Sequence, residues 1–315
     1  MHMRIAANKA RAISADKASR LVTSGDWLDY GITLCQPDVF DAALAARRHE
    51  LRDVKIRACL TMRPRAVLEC DPQGEHFHWF NTHFSGYDRK QHDAGRAYYI
   101  PGNLGELADY YRRFIPPIDV VVFKTCRMDE NGYFNFSAAN LWHRAIAERA
   151  KIVIVEVSDG LPYVFGEDNG LHVSEVDYVI EGDERPAPEA PNPSATEVDI
   201  AVGRLIAGEI EDGACLQIGI GGMPNAVCQQ LLQSGARDLG VHTEMLTEGM
   251  MELYHAGLVT NARKAIHPGK VTFSFGFGSR AYYEGIHRNP DLYCLPVDQT
   301  NLPHEIMRND RVVSI

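Results

Sequence analysis

Asp119-Val-Val-Val-Phe-Lys-Thr125 and Lys151-Ile-Val-Ile-Val-Glu-Val157 are two short, β-branched, unbroken apolar runs, and their reading decides the fold. A strand with one wet face alternates apolar and polar residues. A run without alternation is covered on both faces, as strands of a parallel sheet flanked by helices are. Residues 138–149 between the runs have helical character, so the segment reads as strand, crossover helix, strand. Working outward toward the amino terminus, residues 14–23 read as helix, 27–33 as strand, 37–50 as amphipathic helix and 54–60 as strand. The first part of the chain is therefore expected to be an α/β domain on a parallel sheet.

In the other direction the alternation is interrupted by Arg185-Pro-Ala-Pro-Glu-Ala-Pro-Asn-Pro193, whose four prolines exclude helix and central strand alike. It then restarts with a helix over 196–210, a strand Cys215-Leu-Gln-Ile218, a glycine-rich turn and a helix over 224–232. The expected organisation is an α/β domain over 1–184, a linker over 185–195 and a second α/β domain over 196–315. At 315 residues and 45% hydrophobic content, two cores can form without disulfides or metals.

A formal net charge of −10 argues against an extended nucleic-acid surface, which needs concentrated Lys and Arg. The seven cysteines, at 35, 59, 70, 126, 215, 228 and 294, form no C-x-x-C pair and read as ordinary thiols of a reducing compartment. The first twenty-five residues mix Arg4, Lys9, Arg11 and Lys17 with short apolar pieces, so neither a signal peptide nor a membrane span is expected there, and the expected location is the cytoplasm. His76-Phe-His-Trp-Phe-Asn-Thr-His83 lacks metal-ligand spacing with a further acid or thiol, and is expected to pack or to line a pocket, with no metal.

Two stretches could carry chemistry. Gly219-Ile-Gly-Gly-Met-Pro224 joins a strand to a helix, where backbone N–H groups can hold an anion or a developing oxyanion. Glycines at 219, 221 and 222 allow close approach, and Pro224 suits a first helical turn. A dinucleotide fingerprint fits less well, because Pro224 stands where glycine or alanine is wanted; a tight turn without a ligand is the plainer reading. Leu239-Gly-Val-His-Thr-Glu-Met-Leu-Thr-Glu-Gly-Met250 then opens from strand into helix. Glu244 at a strand end is placed as a catalytic acid is, although an acid there taken alone is more often a surface or capping residue. Glu248 reads as the first-turn acid of the following helix.

An ordered series of motifs resembles the acetyl-CoA hydrolase/transferase group of class I CoA-transferases, which includes 4-hydroxybutyrate and butyryl-CoA:acetate CoA-transferases. The series comprises Gly25-Asp26 with Gly31 and Pro37; Asp129-Glu-Asn-Gly-Tyr-Phe134; residues 150–157; His172-Val-Ser-Glu-Val-Asp-Tyr178; Gly219 to Pro224; His242-Thr-Glu244; and His267-Pro-Gly-Lys270. The resemblance implies two open α/β domains of the class I type. It implies that Glu244 attacks an acyl-CoA thioester, giving an acyl-glutamyl anhydride and then a glutamyl-CoA thioester, with CoA passing to a free carboxylate by a ping-pong route.

Gly219, Gly221, Gly222 and Met223 are the candidates for holding the oxyanion or CoA; Lys270, with Arg263, Lys264 and Arg280, reads either as a group facing CoA phosphates or as a solvated basic face; and Gln36 and Pro37, after a strand end, are candidates for bordering the acyl pocket. No tightly bound cofactor is implied; CoA and acyl-CoA are substrates, and the assembly implied is a homo-oligomer. Excluding water from the intermediates suits a cleft between domains. Gly25-Asp-Trp-Leu-Asp-Tyr-Gly31 and Arg63-Pro-Arg65 are similar to itaconate CoA-transferases that use succinyl-CoA. Family members continue beyond the position of Ile315, so the second domain is expected to be truncated. An acyl-CoA hydrolase shares every motif, and a non-catalytic CoA-binding fragment is the third reading.

Overall fold

The structure, a computed structural model, describes residues 10–190 and 193–315. Arg4, Lys9 and, in the expected linker, Pro191 and Asn192 lie outside the described residues. The chain groups into two units: the described residues up to Leu161 with Gly170–Pro188, and Pro162–Asn169 with Glu189–Ile315.

The strands of the first unit are β1 (Arg11–Ala12), β2 (Trp27–Ile32), β3 (Val54–Cys59), β4 (Phe77–Asn81), β5 (Ala97–Tyr99), β6 (Ile118–Thr125), β7 (Tyr133–Asn135), β8 (Ala150–Val157), β9 (Gly170–His172) and β10 (Tyr178–Glu181). The main sheet runs β1-β10-β8-β6-β2-β3-β4-β5, parallel throughout, while β7 and β9 form a separate antiparallel ribbon. The two deciding runs are the neighbours β6 and β8, paired Val121 to Val153 and Val122 to Ile154, and all four side chains are buried. Covered faces on both sides explain the lack of alternation. From β2 the chain steps outward through β3, β4 and β5, then returns to the other side of β2 as β6. Strand order thus reverses between β2 and β6, the place where an open α/β sheet leaves a crevice outside its carboxyl ends.

The second unit holds β11 (Cys215–Gln217), β12 (Gly240–Leu246), β13 (Val271–Gly276), β14 (Leu292–Cys294) and β15 (Val312–Ser314) in the order β14-β13-β12-β11-β15, again all parallel. The expected α/β class with parallel sheets is what the chain adopts. Residues 162–169, placed in the first domain on sequence, group with the second unit because their backbone pairs with β14: Cys294 N–H donates to Phe165 O at 2.8 Å and Glu167 N–H to Cys294 O at 3.1 Å.

Helix lengths differ from expectation where tertiary contacts intervene. The helix expected over 37–50 is Val39–Ala45. Its start is held by Glu156 of β8, whose carboxylate accepts the N–H groups of Asp38, Val39 and Phe40. Past its end, Arg47 reaches back to Ser19 O and Val22 O, and the chain turns. The helix expected over 138–149 is confined to His143–Arg149. In the second unit Glu197–Gly208 is capped by Thr196 and Asp199 in a reciprocal box, and Gly222–Ser234 starts two residues before Pro224. Among the described residues no helix is long and apolar enough to cross a membrane.

Candidate active site

Glu244 stands in β12, two residues short of its last residue, and its carboxyl is partly buried. Its Oε2 accepts from Asn301 Nδ2 at 2.5 Å. The Asn301 amide is itself oriented: Thr300 Oγ1 donates to Asn301 Oδ1 at 2.9 Å, and Ser274 Oγ of β13 lies 2.6 Å from Thr300 Oγ1. Ser274 and Thr300 are fully buried. With its oxygen occupied, the Asn301 amide presents its N–H₂ to Glu244. Asn301 lies 57 residues beyond Glu244, and no local pattern in the sequence pointed to it.

The loop from Gly219 leads into the helix Gly222–Ser234, for which Gly221 is the N-cap without a side-chain cap. The first amides of that helix, at Gly222 and Met223, therefore have no intrahelical acceptor, and Pro224 has no N–H to satisfy. Gly221 has φ 133° and ψ 174°, a region essentially closed to residues with a Cβ. Gly222 is glycine for a different reason, since a Cβ there would lie 2.8 Å from Asp199 Oδ2. β11 pairs with β12 through Cys215 with Gly240 and Leu216 with Val241, so the glycine loop leaves β11 on the side of the sheet toward which β12 carries Glu244. A cavity of about 330 Å³ is lined by Ile220, Gly221, Asn225, Met245, Thr247, Glu248 and Phe277, among others. Met245 and Thr247 point into it from one side of β12, and Glu244 does not line it. Glu248, which does, begins the helix Glu248–His255 and accepts a short hydrogen bond from Ser279 Oγ.

The basic residues read from the sequence as one phosphate-facing group are not one group. Arg263 pairs with Asp238 at 2.6 Å, and Lys270 Nζ donates to Pro290 O at 2.5 Å. Lys270 precedes β13, at the amino end of a strand whose six residues span about 20 Å, while Arg280 follows it and pairs with Glu284. Lys264 is buried, and its ammonium donates to Val241 O, Lys270 O and Thr272 Oγ1, at 2.8, 2.7 and 2.8 Å. All three of its protons are used inside the protein, so it is no phosphate ligand. Burial pushes its pKa down to about 8.

In the first unit Gln36 and Pro37 follow β2 at the strand-order reversal. Gln36 Nε2 donates to Cys59 O at 3.0 Å, whereas its Oε1 is buried with no hydrogen-bond partner among the described residues. Thr33 nearby is a β-branched residue at φ 48°, with its hydroxyl equally orphaned. Strain and unmet polar groups at one place are a mark of a ligand site. Both residues line a small cavity of about 10 Å³, room for about one water, with Asp38, Arg63, Arg65, Lys124 and Arg185. Asp38 receives Arg63, Arg65 and Lys124, each at 2.8 Å, and Lys124 also reaches Asp183 at 3.1 Å. Burial would raise the Asp38 carboxyl, but Arg65, Lys124 and Arg63 outweigh it and hold the pKa well below the usual range. Four cations surround two carboxylates. The stretch 76–83 forms β4 and its flanks, with Phe77 and Trp79 in the core.

Residues 4–191 match the family model for the acetyl-CoA hydrolase/transferase N-terminal domain. The chain is 40% identical over 304 residues to a butyryl-CoA:acetate CoA-transferase of Anaerostipes caccae, covering 96% of this chain and 68% of that protein. It is 39% identical over 308 residues to a succinyl-CoA:cyclohexane-1-carboxylate CoA transferase of Geobacter metallireducens, covering 98% and 69%. Among solved structures it is similar to RipA from Yersinia pestis, with a TM-score of 0.87 and 31% identity over 96% of this chain and 72% of that one.

Proposed function

The chain belongs to the acetyl-CoA hydrolase/transferase family, and on that premise we propose that it is a CoA-transferase that moves coenzyme A between an acyl-CoA and a free carboxylate through a covalent intermediate on Glu244. The observation that carries the reading is the Glu244 carboxylate held by the oriented Asn301 amide. In the first step a Glu244 oxygen bonds to the thioester carbon and the C–S bond breaks, giving an acyl-glutamyl anhydride and CoA thiolate. The thiolate attacks the glutamyl carbonyl, the anhydride C–O bond breaks, and the first carboxylate departs. A glutamyl-CoA thioester remains, and an acceptor carboxylate reverses both steps. No net proton moves in this sequence of steps. The first amides of the helix Gly222–Ser234, at Gly222 and Met223, are the candidate donors to the oxyanions, each such donor being worth roughly 3 kcal/mol, whereas Gly219 N–H is taken up by Ile315 O at 3.0 Å.

The acceptor is a dicarboxylate of the itaconate or succinate kind. The cluster of Arg63, Arg65, Lys124 and Arg185 beside Gln36 supports this reading. Arg63 and Arg185 are its more exposed members, able to turn toward a second carboxylate without unburying a charge.

Glu244→Gln tests the nucleophile. An amide cannot form the anhydride or the thioester, so CoA exchange is expected to vanish in a folded protein, whereas Glu248→Gln is expected to retain it. Borohydride reduction of enzyme incubated with succinyl-CoA, followed by peptide mass analysis, is expected to mark Glu244. Label confined to Glu248 or to any other acid would overturn the assignment, and CoA release independent of added carboxylate would make the protein a hydrolase.

A further inference from the structure

We propose that Glu156 is a positioning residue that sets acceptor selectivity: by taking the amides at the start of the helix Val39–Ala45, it frees the Asp38 carboxylate to gather the cations. The inference rests on the dicarboxylate reading of that cation cluster. Asp38 is the N-cap of the helix. An aspartate at that position ordinarily turns its side chain back onto N–H groups of the first turn, but Asp38 makes no such bond. Glu156 of β8 makes it instead. Its Oε1 accepts from Asp38 N–H at 2.9 Å and Val39 N–H at 3.2 Å, and its Oε2 from Val39 N–H at 3.1 Å and Phe40 N–H at 2.9 Å.

The Asp38 carboxylate released in this way is the point at which the cations meet. Arg63 Nη1 and Lys124 Nζ both donate to Asp38 Oδ2, and Arg65 Nη2 donates to Oδ1, each at 2.8 Å. Two cations on one oxygen repel each other, so they stay together only while that oxygen is between them. Without the Glu156 contacts three consecutive amides lose their acceptor, and Asp38 is the residue placed to cap them. A carboxylate drawn into that cap no longer holds Arg63, the partly exposed member of the group, and an acceptor's second carboxylate then meets dispersed charges.

Two plainer roles for Glu156 predict different outcomes. Lys124 is its register partner on β6, so both side chains stand on one face of the sheet, and balancing that charge is the first alternative. Filling a fully buried place is the second. Glu156→Asp keeps an acid beside Lys124 but is one methylene short of the amides. Glu156→Gln keeps the shape and one acceptor oxygen but turns an N–H₂ toward donors. Only the hold on the amides is damaged by both.

The test uses the intact chain with acetyl-CoA as donor and with succinate and butyrate competing as acceptors in one reaction. Competition reads the ratio of the two kcat/KM values, which does not depend on how much of a preparation is folded. Val155→Ala, on the opposite face of β8, supplies a destabilised control. The expected succinate-over-butyrate ratio is about 10-fold below the parent in both Glu156→Asp and Glu156→Gln, the size of one charge-assisted contact, and within about twofold of it in Val155→Ala. A parental ratio in Glu156→Asp would assign Glu156 to charge balance, and a parental ratio in Glu156→Gln to space filling. Either overturns the proposal, as does a ratio that rises in either variant or falls equally in Val155→Ala. A parent that takes succinate no better than butyrate overturns the dicarboxylate reading itself, and this inference with it.

Discussion

Asn301 Nδ2 donates to Glu244 Oε2 at 2.5 Å while its own Oδ1 is held by Thr300, so one oriented amide fixes the carboxylate. Removing it in Asn301→Ala loses a hydrogen bond to a charged group, worth roughly 1.5–3 kcal/mol, and kcat is expected to fall about 10- to 100-fold. Asn301→Asp should lose more, because two carboxylates at that distance cannot both ionise. Steady-state kinetics on the two variants check the order; an Asp variant as active as Ala contradicts it.

Gly221 and Gly219 separate conformation from ligand approach. Gly221 lies at φ 133°, so Gly221→Ala is expected to cost roughly 1–3 kcal/mol of stability as well as turnover. Gly219 has only Ile315 O near its missing Cβ, at 3.5 Å, so Gly219→Ala should leave the melting midpoint within a degree or two and report on the loop's chemistry. A lowered midpoint in Gly219→Ala would show that the space there is not free.

The cation cluster around Asp38 predicts selectivity. Arg63→Met is expected to raise KM for a dicarboxylate acceptor about 10-fold while leaving that for acetate or butyrate nearly unchanged, as loss of one charge-assisted contact requires. Competition assays with paired acceptors read the ratio directly. An equal rise for both classes would assign Arg63 to holding Asp38 alone.

His143 gives the fold a measurable pH dependence. Its ring is fully buried, stacked 4.8 Å from Phe136, with neither nitrogen hydrogen-bonded among the described residues, and burial lowers its pKa to about 3. Between that value and the ordinary 6.5 the unfolded chain binds a proton that the folded chain refuses, so this residue's contribution to stability falls as pH drops through that window. At pH 5 the loss is about 2 kcal/mol. His143→Phe is expected to remove it, raising the urea midpoint relative to the parent more at pH 5 than at pH 7. An equal change at both pH values would place the proton elsewhere.

By itself the sequence determined the α/β class with parallel sheets and several of the strands. Unbroken Val and Ile runs at 119–125 and 151–157 have nowhere to go but a sheet covered on both faces, and the glycines before Pro224 mark a strand-to-helix turn whatever surrounds it. These are local constraints of backbone and burial, legible in a few consecutive residues. The tertiary structure alone decided which side chains meet. Lys264 and Lys270 are close in sequence and read as similar surface cations, yet one is buried against three oxygens and the other lies against Pro290 O. Segment 162–169 joined the second unit through backbone pairing that leaves no mark on side-chain pattern. The partner of Glu244 comes from a short helix 57 residues away, because parallel strands bring distant loops to one edge of the sheet, and nothing about an asparagine at 301 announces which carboxylate it will face.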